Sequence, residues 1–103
     1  MTANTEISEK VRRAVYERDS FEGRACCIYC GSPYNIHVHH FIERSRGGVG
    51  QEENLVCLCA QCHRRIHDTE DPELKEFIKE YLQNKYPEWD EQKLIWRKYG
   101  STL

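Results

Sequence analysis

The stretch CAQCHRRIH, residues 59–67, brings two kinds of metal-binding residue together within a few positions. A second cysteine pair with the same spacing occurs in CIYC, residues 27–30. Two such pairs supply four thiolates, the ligand number of a closed tetrahedral zinc site. The sequence therefore predicts a structural zinc bound by Cys27, Cys30, Cys59 and Cys62. Disulfide pairing, or four unrelated buried cysteines, is the alternative.

Histidines lie on the helix expected after Cys62 and in the long insert between the cysteine pairs. His63 and His67 are four residues apart, so they lie on one face of a helix. The insert contains HVHHFIERSRGG, residues 37–48, in which His39 and His40 point to opposite sides of a strand. If the zinc fixes the helix against this strand, His39, His63 and His67 can converge on a second metal ion. Three protein ligands leave open coordination positions, which is typical of a catalytic site.

Two further histidines lie outside this ligand set. His40 would lie beside the second metal, where it could take a proton from water. His37 is predicted to be a surface residue of the strand. A lone histidine is more often an ordinary packing residue, but several beside a cysteine framework favour a functional site.

Composition limits the classes of function without selecting one. The 103 residues include 15 Lys and Arg against 17 Asp and Glu, which disfavours a strongly electrostatic polyanion binder. No apolar run approaches membrane-spanning length, and residues 1–13 lack the apolar stretch of a secretory signal. We therefore expect a cytoplasmic protein with no membrane partner. In the reducing cytoplasm, paired cysteines usually bind metal.

Hydrophobic periodicity predicts a small α+β fold in a single domain, residues 1–103, with a core at about 6–68 and a helical C-terminal extension at about 70–100. The expected elements are helices over 6–19 and 60–67 and an antiparallel pair of strands over 36–42 and 54–58. A further helix is expected to open at Asp71-Pro72, with one apolar stripe formed by Leu74, Phe77, Ile78, Tyr81 and Leu82. A last helix is expected after Pro87, marked by Trp89, Leu94, Trp96 and Tyr99. Cys26 and Cys57 fall outside the paired spacing and are predicted to be small buried hydrophobes.

Four motifs occur in an order that resembles one known family. They are CIYCG, VHHFIERSRGG, NLVCLC and CAQCHRRIH, which together span about 40 of the 103 residues. The segment resembles the HNH nucleases, also called ββα-metal nucleases, in their zinc-ribbon-bearing form. The resemblance implies a ββα-metal hairpin-helix unit with four-cysteine zinc knuckles, flanked by an N-terminal helix and C-terminal helices.

The resemblance also implies a role for individual residues. His39, His63 and His67 stand at the positions of the catalytic metal ligands, and His40 stands at the general base. Asn54 stands where a side-chain carbonyl can accept a hydrogen bond from the imidazole of His40 and fix its tautomer. The four paired cysteines match the structural zinc ligands. Glu43 departs from the family pattern, in which many members have a proline.

The implied activity is metal-dependent hydrolysis of DNA phosphodiester bonds, by nicking or double-strand cleavage, with one catalytic ion. That ion would be Mg²⁺, Mn²⁺, Ni²⁺ or Zn²⁺, in addition to the structural zinc. The expected substrate is double-stranded DNA, with the phosphate backbone contacted by Arg44, Arg46, Arg64 and Arg65. Trp89 and Trp96 suggest a protein partner, or self-association, through the C-terminal helices.

Two other classes of function stay open at the level of the sequence. The first is a catalytically inactive zinc-ribbon module that binds nucleic acid or protein without cleaving it. The second is a redox protein that uses its Cys-x-x-Cys pairs, although two such pairs are better explained by tetrahedral zinc.

Overall fold

The computed structural model describes residues 4–96. Its helices and strands are α1 (Glu9–Arg18), β1 (Ser20–Phe21), β2 (Arg24–Ala25), β3 (Ile36–His40), β4 (Leu55–Cys59), α2 (Ala60–Thr69) and α3 (Pro72–Lys85). Short 3-10 turns occur at Arg44–Arg46, Glu52–Asn54 and Glu91–Leu94. None of the described helices is long and apolar enough to cross a bilayer.

The antiparallel pair of β3 and β4 is the centre of the fold. Every residue of β4 is buried, because other elements pack on both of its faces. Val56 and Leu58 face the core formed with α2 and α3, whereas Leu55 and Cys57 pack with α1. A continuous apolar run such as LVCLC is what two-sided burial requires of a strand. The predicted small α+β fold, with a hairpin followed by a helix, is confirmed.

Helix α3 closes one side of this core. Asp71 caps its first turn by accepting hydrogen bonds from the N–H groups of Glu73 and Leu74, and Pro72 follows the cap as predicted. Leu74, Ile78 and Leu82 are fully buried and form the predicted apolar stripe. Phe77 was expected in the same stripe, but it is exposed and its ring packs at 5.0 Å against the ring of Tyr29.

The C-terminal part of the described chain differs from the prediction. Instead of a last helix, the structure has the 3-10 turn Glu91–Leu94 followed by extended residues. Ile95 pairs with Gly48, and the N–H of Trp96 donates to the carbonyl of Gly47 at 2.7 Å. The extended backbone therefore gains hydrogen bonds from the β3–β4 connection that a helix could not make. Tyr99 lies outside the described residues.

Two smaller features were also missed. Strands β1 and β2 form a short hairpin, with Ser20 opposite Ala25, that periodicity cannot detect in so few residues. Cys57 is buried as predicted, but Cys26 is only half-buried, and its thiol donates to the carbonyl of Arg24 at 3.3 Å. Cys26 follows the β1–β2 hairpin directly, which leaves it at the edge of the core.

A buried ion pair joins the N-terminal helix to the rest of the fold. The Arg18 guanidinium donates to both carboxylate oxygens of Asp19, at 2.7 and 2.8 Å, and to the carbonyl of Leu55 at 2.6 Å. Asp19 also accepts from the N–H of Cys57 at 3.0 Å and from the Tyr81 hydroxyl. These bonds connect α1, β4 and α3 through two adjacent residues. The planar fork of an arginine suits such a multiple contact.

Candidate functional site

The four paired cysteines form one cluster. A sulfur of each lies within 4.8 Å of the other three, although the pairs are far apart in the chain. The sulfurs of Cys30 and Cys59 are 3.5 Å apart. Four sulfurs bound to one zinc ion at about 2.3 Å would lie about 3.8 Å from each other. The cluster therefore fits a tetrahedral zinc and could bind one.

The surroundings of Cys27 favour the thiolate form of its side chain. Burial alone would raise the pKa of its thiol, but hydrogen bonds from the N–H groups of Cys30, Cys59 and Tyr29 lower that pKa to about 7. The Cys30 N–H lies 3.5 Å from the Cys27 sulfur. Because the thiolate is the form that binds metal, these backbone donors favour the ligand state.

Three histidines, one from β3 and two from α2, form a second cluster. One ring nitrogen from each of His39, His63 and His67 lies within 4.8 Å of the other two. The Nε2 atoms of His63 and His67 are 3.1 Å apart. Two imidazole nitrogens bound to one tetrahedral ion at about 2.1 Å would be about 3.4 Å apart. The donor set and its spacing therefore fit a divalent metal.

The protonation states of His39 and His63 also favour metal binding. Burial, together with the charges of His63 and His67, lowers the pKa of His39 to about 3. Burial and His67 also lower the pKa of His63. Both imidazoles are therefore neutral near pH 7, and the neutral ring is the form that offers a lone pair to a metal.

His40 and the histidine cluster open into the same cleft, which has a volume of about 350 Å³ and is also lined by Glu43, Arg44 and Ser45. The Nε2 atom of His40 lies 2.9 Å from the carbonyl oxygen of Thr5. Burial and the charge of Arg44 lower the pKa of His40, although the contact with Thr5 acts in the opposite direction. The result is a neutral imidazole beside the metal ligands.

Asn54 does not make the hydrogen bond expected from the family resemblance. Its side-chain carbonyl accepts from the N–H of Ile42 at 2.7 Å, and its amide donates to the carbonyls of Ile42 and Val49 at 3.1 and 2.9 Å. These contacts satisfy a fully buried side chain. Asn54 therefore ties together the connection between β3 and β4, and Thr5 takes the place predicted for it beside His40.

The four predicted DNA-contacting arginines divide into two groups. Arg44 lines the cleft, and Arg46 and Arg64 are exposed. Arg65 is instead engaged: its Nε donates to Asp71 at 3.1 Å and its guanidinium lies 5.3 Å from the ring centre of Tyr29. Its position two residues from both His63 and His67 turns it away from their face of the helix. A phosphate contact by Arg65 is therefore not supported by its geometry.

His37 and Glu43 lie nearer the site than the sequence alone indicated. The exposed ring of His37 stacks on that of His63, with ring centres 5.3 Å apart and planes 17° from parallel. Glu43 lines the cleft and accepts a hydrogen bond from the hydroxyl of Ser45 at 3.3 Å. The alternation of β3 places His37 on the same side as His39, which is the signal that could have indicated this contact.

Comparison with known proteins places the cysteine and histidine clusters in one family segment. Residues 27–69 match the family model described as HNH endonuclease. A stretch of 37 residues, 36% of the chain, is 49% identical to the type IV methyl-directed restriction enzyme EcoKMcrA of Escherichia coli and spans 13% of that enzyme. A stretch of 59 residues, 57% of the chain, is 29% identical to anaredoxin of a Nostoc species and spans 78% of that protein.

The matched segment begins at the first cysteine of the zinc cluster and ends just after His67, the last residue of the histidine cluster. It therefore includes every side chain of both clusters, as well as His40 and Asn54. Residues 27–69 therefore form a segment that matches the HNH endonuclease family model and carries both clusters.

Proposed function

We propose that this protein is a metal-dependent endonuclease that hydrolyses phosphodiester bonds of DNA, with His40 as general base. His39, His63 and His67 would hold a single catalytic ion, and the four paired cysteines a structural zinc. The observation that carries the proposal is the convergence of three imidazole nitrogens within 4.8 Å, beside a cleft that His40 also lines. An open three-histidine site is the arrangement that catalysis requires, whereas a purely structural metal is fully enclosed by protein ligands.

The reaction needs an activated water and stabilisation of charge on the phosphate. A bound divalent ion would supply the Lewis acid that stabilises the phosphate and the departing 3′ oxygen. His40 would take the proton from the attacking water, since its lowered pKa keeps it neutral and able to accept one. The three histidine ligands carry no charge themselves, so they leave the full charge of the ion available to the phosphate.

Substrate binding would rest on a small basic surface of Arg44, Arg46 and Arg64 around the cleft. Arg44 lines the cleft directly, which supports a contact between its guanidinium and the scissile phosphate or its neighbour. So few cations neutralise only a few phosphates, and the affinity for DNA should be weak and salt-sensitive. We expect double-stranded DNA as the substrate and the reducing cytoplasm as the compartment, where thiolates stay available for zinc.

A plasmid assay tests the proposal. Zinc-loaded protein should convert supercoiled plasmid to nicked or linear forms with Mg²⁺, Mn²⁺, Ni²⁺ or added Zn²⁺, and His40→Ala should abolish this without changing zinc content or circular dichroism. Arg13→Ala, on the exposed face of α1, is a control for effects of an unrelated surface change. Wild-type activity in the His40→Ala protein would reject the base assignment. Intact zinc and fold without cleavage by any ion would favour a binding module.

A further inference from the structure

The segment before the first helix touches the predicted active site. We call residues 4–7 the N-terminal strap. The carbonyl of Thr5 lies 2.9 Å from the Nε2 atom of His40, and the carbonyl of Asn4 accepts from the N–H of Gly50 at 3.0 Å. The strap thus spans from the end of β3 to the connection between β3 and β4. The strap itself lies outside residues 27–69, the segment that matches the family model.

The chemistry of the Thr5 contact determines the state of the His40 ring. A carbonyl oxygen can only accept a hydrogen bond, so Nε2 of His40 must carry the proton. A neutral imidazole has one protonated nitrogen, which leaves the lone pair on Nδ1. The same bond also fixes the rotation of the ring, because Nε2 is held at the strap.

We infer that the N-terminal strap is a positioning element of the active site: the Thr5 carbonyl accepts a hydrogen bond from Nε2 of His40 and holds the ring with Nδ1 as its free nitrogen. The inference rests on the proposed function for the role of Nδ1, but the hydrogen bond can be tested without activity. In this arrangement Thr5 does through its backbone what the family resemblance predicted for the side chain of Asn54.

Gly50 is the residue that lets the strap approach. A Cβ atom at this position would lie 2.0 Å from the carbonyl oxygen of Glu6 and 2.6 Å from its carbonyl carbon. Any side chain there must therefore push the strap away from the site. On the other side of the contact, Ile7 packs against the core cluster of Val15, Leu55 and Cys57, and Ser8 caps α1. The strap is thus held at both ends and has its close contact in the middle.

The first test weakens the carbonyl without changing its position. A peptide of residues 1–25 with an ester in place of the Thr5–Glu6 amide can be joined chemically at Cys26 to the remaining chain, since an ester carbonyl is a poorer acceptor than an amide carbonyl. The same ligation with an all-amide peptide is the matched control. Long-range ¹H–¹⁵N spectra of the protein loaded with one zinc per chain then report which nitrogen of His40 carries the proton and how fast that proton exchanges.

In the control we expect a protonated Nε2, an unprotonated Nδ1 and a slowly exchanging Nε2–H. The ester should speed that exchange at least tenfold and lower kcat for plasmid nicking by roughly tenfold, the usual cost of losing the group that orients a site imidazole. KM should change less than twofold, because the ester leaves Arg44, the arginine that lines the cleft, unchanged. A proton on Nδ1 in the control, or an unchanged Nε2–H exchange in the ester protein, would overturn the inference.

Gly50→Ala provides the second test, by displacement. It should give the same spectral change as the ester, whereas Gln51→Ala, at the exposed neighbouring residue, should not. A Gly50→Ala protein that folds with the wild-type His40 signals would also overturn the inference. A wild-type protein with the expected spectrum that cleaves no DNA would refute the endonuclease while supporting the strap contact.

Discussion

Removal of the Asn54 side chain should be among the most destabilising single changes in this protein that spare both metal clusters. Asn54 is fully buried, and Asn54→Ala deletes hydrogen bonds to the N–H of Ile42 and to the carbonyls of Ile42 and Val49. Alanine offers no replacement, and it leaves these backbone groups without their partner inside the connection between β3 and β4.

The magnitude follows from those contacts. A hydrogen bond contributes about 1 kcal/mol net, and a buried group left unsatisfied costs about 1–3 kcal/mol. The three bonds of Asn54 therefore predict a loss of at least roughly 3 kcal/mol in the free energy of unfolding. Domains of this size have a total of only about 5–15 kcal/mol, so the effect is large. Asn54→Asp should be no milder, because its second oxygen would face the carbonyls of Ile42 and Val49.

Urea denaturation of the zinc-loaded protein measures this loss from the midpoint, provided that the slope is unchanged. Asn84→Ala is the matched control, since Asn84 is exposed on α3 and its replacement should change stability by less than about 0.5 kcal/mol. Zinc must be present at the same excess in every sample, because bound metal adds to apparent stability. A loss of less than about 1 kcal/mol for Asn54→Ala would show that these hydrogen bonds do not hold the connection.

Three further predictions concern the cysteines and the cleft. Cys62→Ser should lower the zinc content measured by mass spectrometry below one ion per chain, whereas Cys26→Ser should leave it unchanged. The reason is that Cys62 belongs to the sulfur cluster and Cys26 does not. In the folded protein, iodoacetamide should label Cys26 but not Cys57, since burial and the charge of Asp19 raise the pKa of Cys57 to about 12; equal labelling would contradict its burial. Arg44→Ala should weaken DNA binding and reduce its dependence on log[salt] by about one unit, as loss of a phosphate contact does, and Arg13→Ala should not.

The metal-binding parts of the site could be predicted because their geometry is encoded over short distances. Two residues between Cys59 and Cys62, and three between His63 and His67, fix which side chains share a helix face. The alternation of β3 placed His39 toward this helix in the same way. Spacing alone did not show which distant segments of the chain come together. The family resemblance supplied that information.

The parts that could not be predicted depend on groups without a sequence signature. His40 contacts a backbone carbonyl, which every residue has, so nothing in the identity of Thr5 indicated it. In the sequence, Arg18 and Asp19 are two ordinary charges at a helix end, and only the fold reveals that Asp19 is fully buried and Arg18 largely so. The aromatic residues after Pro87 suggested a helix, but hydrogen bonds to Gly47 and Val49 favour an extended backbone at the end of the described chain.

The connection between β3 and β4 carries Arg44 but is not part of the β3–β4 sheet. Its backbone therefore needs hydrogen-bond partners from other parts of the chain. Its backbone is tied on one side to the strap, through the N–H of Gly50 and the carbonyl of Asn4. On the other side the N–H of Val49 donates to the carbonyl of Leu94 at 2.9 Å. Both partners lie outside residues 27–69, although every proposed metal ligand lies within them. We therefore expect a fragment limited to the matched segment to bind metal and yet lack an ordered cleft.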